Sequence, residues 1–256
     1  MVKKINITKL EKDDKLSDIF HENTKFFFPD TSDIKLESYP ESWKKIHFKV
    51  YPRFKRVFLP TKFNDNSKSL ESVIRSRSSD RDFQGKFLKL EDLSRLLLYS
   101  AGIIRKSSKW DETRRAYPSA GARYPLEVYV VVFKVKSLAS GIYHYNIKEH
   151  SLELIIKGSF KRKMIKYTNY QKWIKNSSIV ILISAIFKRN KIKYRDRGYR
   201  YVLLEAGHMG QNFYLVSNSI GLRCCSIGGF LDEEINKLID LDGINESIIY
   251  ILAIGE

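Results

Sequence analysis

Arg77, Ser79 and Arg81 stand at alternate positions in the segment RSSDRDF. Two guanidinium groups four residues apart, with a hydroxyl between them, can converge on the oxygens of one anion, where charge-assisted hydrogen bonds are strong. A solvated basic helix end has the same composition. A second set lies in RRAYPSAGARYPLEVYVVV, from Arg114 to Val132. Ser119, Ala120, Gly121 and Ala122 carry little or no side chain beyond Cβ, so backbone N–H groups can approach a ring or a phosphate closely. Arg114, Arg115 and Arg123 supply charge, and Pro118 and Pro125 fix φ on either side. Such a loop suits a flat anionic ligand, although an ordinary loop ahead of a strand accounts for it equally well. In KIKYRDRGYRY, Lys193 has Lys191, Arg195 and Arg197 as sequence neighbours. Crowded cations disfavour another ammonium and favour a phenolate, so either Lys193 or Tyr194 is a candidate base; taken alone, the pair also reads as surface. In SIGGF, Gly228 and Gly229 let backbone N–H groups point at developing negative charge. A plain turn before a helix capped by Asp232 is the other reading.

The elements that must position these groups alternate along the chain. Ser69 is placed to cap a helix from Leu70 to about Ser76. Leu90, Leu93, Leu96, Leu97 and Ala101 form a helical stripe ending near Gly102. Strands are predicted over Leu126 to Val135, Gly141 to Asn146 and Leu152 to Ile156, the last two as a hairpin across Lys148 and Glu149. Lys161 to Trp173 is helix-like, and Ser178 to Phe187 is a central strand. The longest helix runs from Tyr199 to Ser219 and stops at Gly221. Leu222 to Ile227 returns as a strand, Asp232 caps a helix from Glu233 to Ile239, and Ser247 to Gly255 closes the sheet. Residues 1–66 read as an irregular aromatic extension packed on a core of residues 67–256.

A chain of 256 residues with 43% hydrophobic residues is globular and can bury a substantial core. No run reaches the roughly 18 apolar residues of a membrane span. The charged start MVKKINITKLEKDDK leads into no apolar run, so the chain reads as cytoplasmic. Cys224 and Cys225, being adjacent, are poorly placed for a disulfide and read as small strand residues. The net charge of +17 invites nucleic acid, but the basic residues are dispersed and no nucleic-acid-binding signature accompanies them. An acidic peptide or acidic protein partner fits the charge at least as well. The five histidines show no metal-ligand spacing, so no metal is expected. His208 reads as a packed helix histidine, and Gly207 and Gly210 as sites of close helix packing. The dinucleotide fingerprint and the P-loop are absent.

PSAGARYPLEVYVVV resembles the flavin-facing loop of the SagB-type (McbC-like) azoline dehydrogenases, a branch of the FMN-dependent nitroreductase superfamily. RSSDRDF resembles the superfamily's first FMN motif. KYRDRGYRYVLLEAGHMGQN resembles the branch's Lys-Tyr motif and the helix behind it, SIGGF the loop at the flavin's reactive edge, and HENTKFFFPD a segment typical of the branch. The resemblance implies an α+β nitroreductase-like fold, with a central, mainly antiparallel sheet flanked by helices and FMN at a homodimer interface. It implies Arg77, Ser79, Arg81, Ser119, Gly121, Arg123, Gly228 and Gly229 as FMN ligands and Lys193 and Tyr194 as catalytic residues. The implied reaction turns thiazolines or oxazolines of a ribosomally made precursor peptide into thiazoles or oxazoles, with oxygen reoxidising the flavin. The implied partners are that peptide and a cyclodehydratase or scaffold protein of the same pathway. A generic NAD(P)H-dependent nitro- or quinone reductase is the alternative, and a basic scaffold without chemistry a third reading.

Overall fold

LEVYVVV and IVILISAI are rich in β-branched residues, which suit a pleated surface. They form the middle of the sheet in the computed structural model, which describes residues 16–25, 48–63, 68–107 and 113–256. The helices are α1 (Leu16–Asn23), α2 (Leu70–Ser76), α3 (Leu90–Ala101), α4 (Lys161–Tyr167), α5 (Lys188–Tyr194), α6 (Arg197–Ser219) and α7 (Asp232–Leu238). The strands are β1 (Arg56–Phe58), β2 (Ile103–Arg105), β3 (Arg114–Arg115), β4 (Leu126–Val132), β5 (Gly141–Asn146), β6 (Ser151–Lys157), β7 (Ile179–Ile186), β8 (Arg223–Ile227) and β9 (Glu246–Gly255). Seven strands make one sheet in the order β1-β6-β5-β4-β7-β9-β8, with every strand pair antiparallel. The register of β4 on β7 runs from Leu126 opposite Ala185 to Val132 opposite Ile179.

Because side chains alternate along a strand, each face of this sheet feeds its own core. Val128, Val130, Ile181 and Ile183 pack with Leu93 and Leu97 of α3 and Val202 and Phe213 of α6. Tyr129, Val131, Val180 and Leu182 pack on the other side with Met164 of α4 and Ile235 of α7. The molecule is thus three layers deep, α+β with a central antiparallel sheet. Ser69 caps α2 as expected, its side chain accepting from the Ser72 N–H at 3.3 Å. Gly221 takes φ +78 beyond α6, the left-handed conformation that makes glycine a helix stop.

Several expectations need correction. The strand from Leu126 ends at Val132, because the Phe133 and Lys134 amides both turn to the Ser178 carbonyl. The helix expected over Lys161 to Trp173 breaks after Tyr167: Asn169 and Tyr170 take φ of 53 and 59, and a 3-10 turn over Lys172–Asn176 follows. Asp232 is the first residue of α7 rather than its cap, which is Leu231 without a side-chain bond. The last strand is internal, because β8 pairs outside it. The described part of the extension supplies an edge strand, β1 on β6, and a helix, α1, held by Arg197 and Arg200 donating to the Thr24 and His21 carbonyls. HENTKFFFPD lies outside the described residues from position 26 onward.

On the long helix Gly210 is close-packed as expected, but Gly207 and His208 are exposed. Ala206, Gly210, Phe213, Tyr214 and Ser217 are buried within the chain, whereas Leu203, Leu204, Gly207 and His208 are exposed. A Cβ at Gly210 would come within 2.5 Å of the Tyr250 ring, so this glycine serves packing of α6 on β9 inside one chain. Gly210→Ala is therefore expected to cost about 1–3 kcal/mol by overpacking. In thermal unfolding that appears as a drop of several degrees, and an unchanged midpoint would show that Tyr250 yields freely.

Candidate functional site

The first motif lies along the sheet's outer edge. The Asp80 N–H donates to the Cys224 carbonyl of β8 at 3.1 Å, and the Arg223 guanidinium meets Asp80 at 3.4 Å and Asp82 at 3.0 Å. This fastening turns Ser79 toward α6, where its hydroxyl and that of Tyr214 share a hydrogen bond of 2.9 Å. The Tyr214 hydroxyl also donates to Ser226 Oγ at 3.1 Å and accepts from the Ser226 N–H at 2.8 Å. The Arg77 guanidinium lies over the Tyr214 ring at 5.4 Å, and Arg81 lies over Trp173 at 5.8 Å. Lys68, Arg77 and Arg223 line a hollow of about 240 Å³ here, with Asp80 as its acidic member. Gly228 and Gly229 follow Ser226 by two and three residues. A Cβ on Gly228 would meet open space, and one on Gly229 would meet the Asn169 amide at 3.2 Å.

The second motif is built from the opposite end of α6. Ser119 Oγ accepts from the Tyr124 N–H at 2.8 Å, closing the loop on itself. Gly121, Ala122 and Tyr124 take φ of 59, 52 and 47. At Gly121 the need for glycine is steric as well as conformational: a Cβ would lie 2.6 Å from Tyr194 Oη and 3.0 Å from Lys193 Nζ. The Ser119–Gly121 loop and the Lys-Tyr pair, 72 residues apart in the chain, are thus in contact. Lys193 and Tyr194 end the short helix α5, with Lys193 Nζ 5.3 Å from the centre of the Tyr194 ring. The expected crowd of cations is rearranged. Lys191 reaches toward Asp196 at 3.9 Å and Arg197 binds α1, while Arg123 is the cation brought to Tyr194. Burial lowers the Arg123 guanidinium from its ordinary range, the Tyr194 oxygen opposes that, and Arg189 adds to it.

Arg189 was not singled out by sequence reasoning, yet it anchors α5. Its Nη1 donates to Glu127 Oε1 of β4 at 2.5 Å and to the Tyr124 carbonyl at 3.0 Å, and its own carbonyl accepts from Arg123 Nε at 3.0 Å. Glu127 Oε2 faces His144 Nε2 at 3.2 Å, whose Nδ1 faces Glu153 Oε2 at 3.0 Å. A buried ring between two carboxylates must donate from both nitrogens to satisfy them, which is the imidazolium form. Burial pushes His144 down, but the hydrogen bonds and charges of Glu127 and Glu153 outweigh it and the net shift is upward. Stabilisation from a raised histidine is complete below its unfolded value, here 6.5, and is lost as pH climbs through the folded one. We expect the unfolding temperature to fall as pH rises above neutrality and His144→Asn to lack that slope. A parent midpoint flat over the same range would contradict the assignment.

The ten predicted site residues therefore form two sets. Arg77 and Ser79 meet Tyr214 of α6, Gly228 and Gly229 follow Ser226, to which Tyr214 is bonded, and Arg81 lies over Trp173 in the core on the sheet's other face, while Ser119, Gly121, Arg123, Lys193 and Tyr194 gather near Glu205. Nine residues of helix, about 13 Å at 1.5 Å per residue, separate Glu205 from Tyr214. Among the described residues no cluster suited to a metal ion exists, and no helix is long and apolar enough to cross a membrane.

Residues 74–256 match the family model described as the nitroreductase family. The chain is 34% identical over 186 residues, 73% of its length and 90% of the relative's, to a Methanocaldococcus jannaschii protein described as a nitroreductase. It is 33% identical over 144 residues to the microcin B17-processing protein McbC of Escherichia coli, covering 50% of this chain and 49% of McbC. It is 28% identical over 168 residues to the trifolitoxin-processing protein TfxB of Rhizobium leguminosarum, covering 62% of this chain and 45% of TfxB. The chain thus spans about half the length of these two relatives. Among solved structures, a nitroreductase-like protein of Anabaena variabilis superposes with a TM-score of 0.72 at 25% identity, over 93% of this chain and 46% of that one. The Escherichia coli microcin synthetase McbBCD complex with truncated pro-MccB17 matches with a TM-score of 0.61 at 23% identity, over 94% of this chain and 91% of that one.

Proposed function

Because the chain belongs to the nitroreductase family, we propose that it is an FMN-dependent azoline dehydrogenase that matures a ribosomally made peptide. The contact of the Gly121 loop with Lys193 Nζ and Tyr194 Oη carries this reading, since it joins a ring-facing backbone to two proton-accepting groups. The names of McbC and TfxB, both peptide-processing proteins, support the substrate class. The donor set fits FMN: a basic hollow with Arg77 suits a phosphate, the Ser79 hydroxyl is at hand for sugar oxygens, and open space at Gly228 leaves its N–H approachable.

When bound, FMN would accept a hydrogen with its electron pair from the azoline ring carbon. Lys193 or Tyr194 takes the accompanying proton, so the ring loses two hydrogens and becomes aromatic. Arg123 places a positive charge beside the Tyr194 oxygen, and Arg189 keeps α5 and the loop in register while the proton moves. The loop's close fit to α5 also excludes water from one side of the pair.

The two sets of residues favour a site completed by a second copy, the Tyr214 end of one protomer facing the Glu205 end of its partner. Leu203, Leu204 and Gly207 on α6, with Leu70 and Ile74 on α2, form the exposed apolar surface for that homodimer. From Leu154 to Arg195 the chain carries no acidic residue. Arg162, Lys163, Lys166, Lys172 and Lys175 are exposed along it, which suits an acidic peptide segment or protein partner. The test is to incubate the flavin-loaded protein with a thiazoline- or oxazoline-bearing peptide and weigh the product: each ring should lose the mass of two hydrogens.

A further inference from the structure

Glu205 sits in the N-terminal half of α6 between exposed Leu204 and buried Ala206, and its carboxyl is turned inward with only 3% of the residue exposed. A carboxylate is costly to bury unless it is hydrogen-bonded. Its Oε1 accepts from the Ala120 N–H at 3.0 Å and from Asn190 Nδ2 at 3.0 Å. These partners belong to the two segments that meet at the reactive pair. Ala120 precedes Gly121, against which Lys193 and Tyr194 rest, and Asn190 lies one helical turn before Tyr194 on α5. Helix α5 has only seven residues and ends on Arg195 at φ 50, so its own hydrogen bonds hold it weakly.

We propose that Glu205 is a positioning residue whose single carboxylate oxygen ties the Ser119–Gly121 loop to α5, fixing where Lys193 Nζ and Tyr194 Oη stand relative to that loop. The claim about the tie is independent of the reaction; its consequence for turnover rests on the dehydrogenase reading above. Burial raises Glu205 from the ordinary carboxylate range, and its bonds to Asn190 and Ala120 pull it back only in part, as befits a group placed for its contacts at an electrostatic cost. Glu205 Oε2 and Asn190 Oδ1 are buried without a hydrogen-bond partner among the described residues. A glutamine can therefore replace the carboxylate: its carbonyl accepts from both the Ala120 N–H and Asn190 Nδ2, as Oε1 does, and its amide takes the place of Oε2.

The test compares Glu205→Ala with Glu205→Gln. In the flavin-free protein, amide hydrogen exchange at Ala120 should accelerate about tenfold or more in Glu205→Ala, the loss of one charge-assisted bond, and should stay within about threefold of the parent in Glu205→Gln. In the flavin-loaded protein, kcat should fall by about tenfold or more in Glu205→Ala with KM within about twofold, and Glu205→Gln should restore most of it. If Glu205→Ala does not fold, Asn190→Ala carries the test, with Ala120 still protected and kcat reduced. Parent-like exchange in Glu205→Ala, equal losses in Ala and Gln, or parent-like kcat in Asn190→Ala would each overturn the proposal. Protection of Ala120 that obeys the prediction in a protein inert toward azolines would instead reject the dehydrogenase reading alone.

Discussion

Lys193→Ala and Tyr194→Phe are expected to keep the flavin and lose the dehydrogenation. Neither side chain belongs to the set proposed for the phosphate, in which Arg77 and Ser79 meet Tyr214. Both side chains instead converge on the Gly121 loop. A positioned base contributes about 10²–10⁴ in rate, so whichever of the two accepts the proton should fall by that factor when replaced. The other should fall less, because it acts through charge and packing: Lys193 lies over the Tyr194 ring, and Tyr194 packs edge-on against Tyr201 at 5.0 Å. Single-turnover rates with flavin content measured on the same samples separate the outcomes. Parental rates in both variants would place the base elsewhere in the molecule.

The second large effect is expected at Arg77. Its guanidinium stacks on Tyr214 at the edge of the basic hollow and is half-buried. If it meets the FMN phosphate there, Arg77→Ala removes a charge-assisted hydrogen bond of about 1.5–3 kcal/mol, which weakens binding by about 10–150-fold. The protein should then be purified colourless or nearly so, with its unfolding temperature close to that of the flavin-free parent. Equal flavin occupancy in variant and parent would remove Arg77 from the phosphate site.

Much of this architecture is local and was legible for that reason. The apolar runs that become β4 and β7, the Ser69 cap and the Gly221 stop each depend on residues within a few positions of one another, so pattern and backbone preference suffice. What sequence missed depends on partners far along the chain. Helix α5 carries the charged string KRNKIKY, and what holds it is Arg189 reaching Glu127, 62 residues earlier. Glu205 looks like a surface acid of an amphipathic helix until Ala120, 85 residues away, donates to it. Gly210 packs on Tyr250 of β9, a partner 40 residues further along the chain. The break at Asn169 and Tyr170 left no glycine or proline to mark it. That the Gly121 loop meets Lys193 and Tyr194 while Ser79 meets Tyr214 follows from the three-dimensional path alone.

The central claim, that this nitroreductase-family chain oxidises azoline rings in a peptide, is tested most directly by mixing the flavin-loaded protein with an azoline-bearing peptide under anaerobic conditions. The visible flavin absorbance should bleach in step with the loss of two hydrogens per ring, with no NAD(P)H present, and should return when oxygen is admitted. A peptide of unchanged mass, with the flavin bleached by NADPH alone and nitroaromatics turned over, would contradict it.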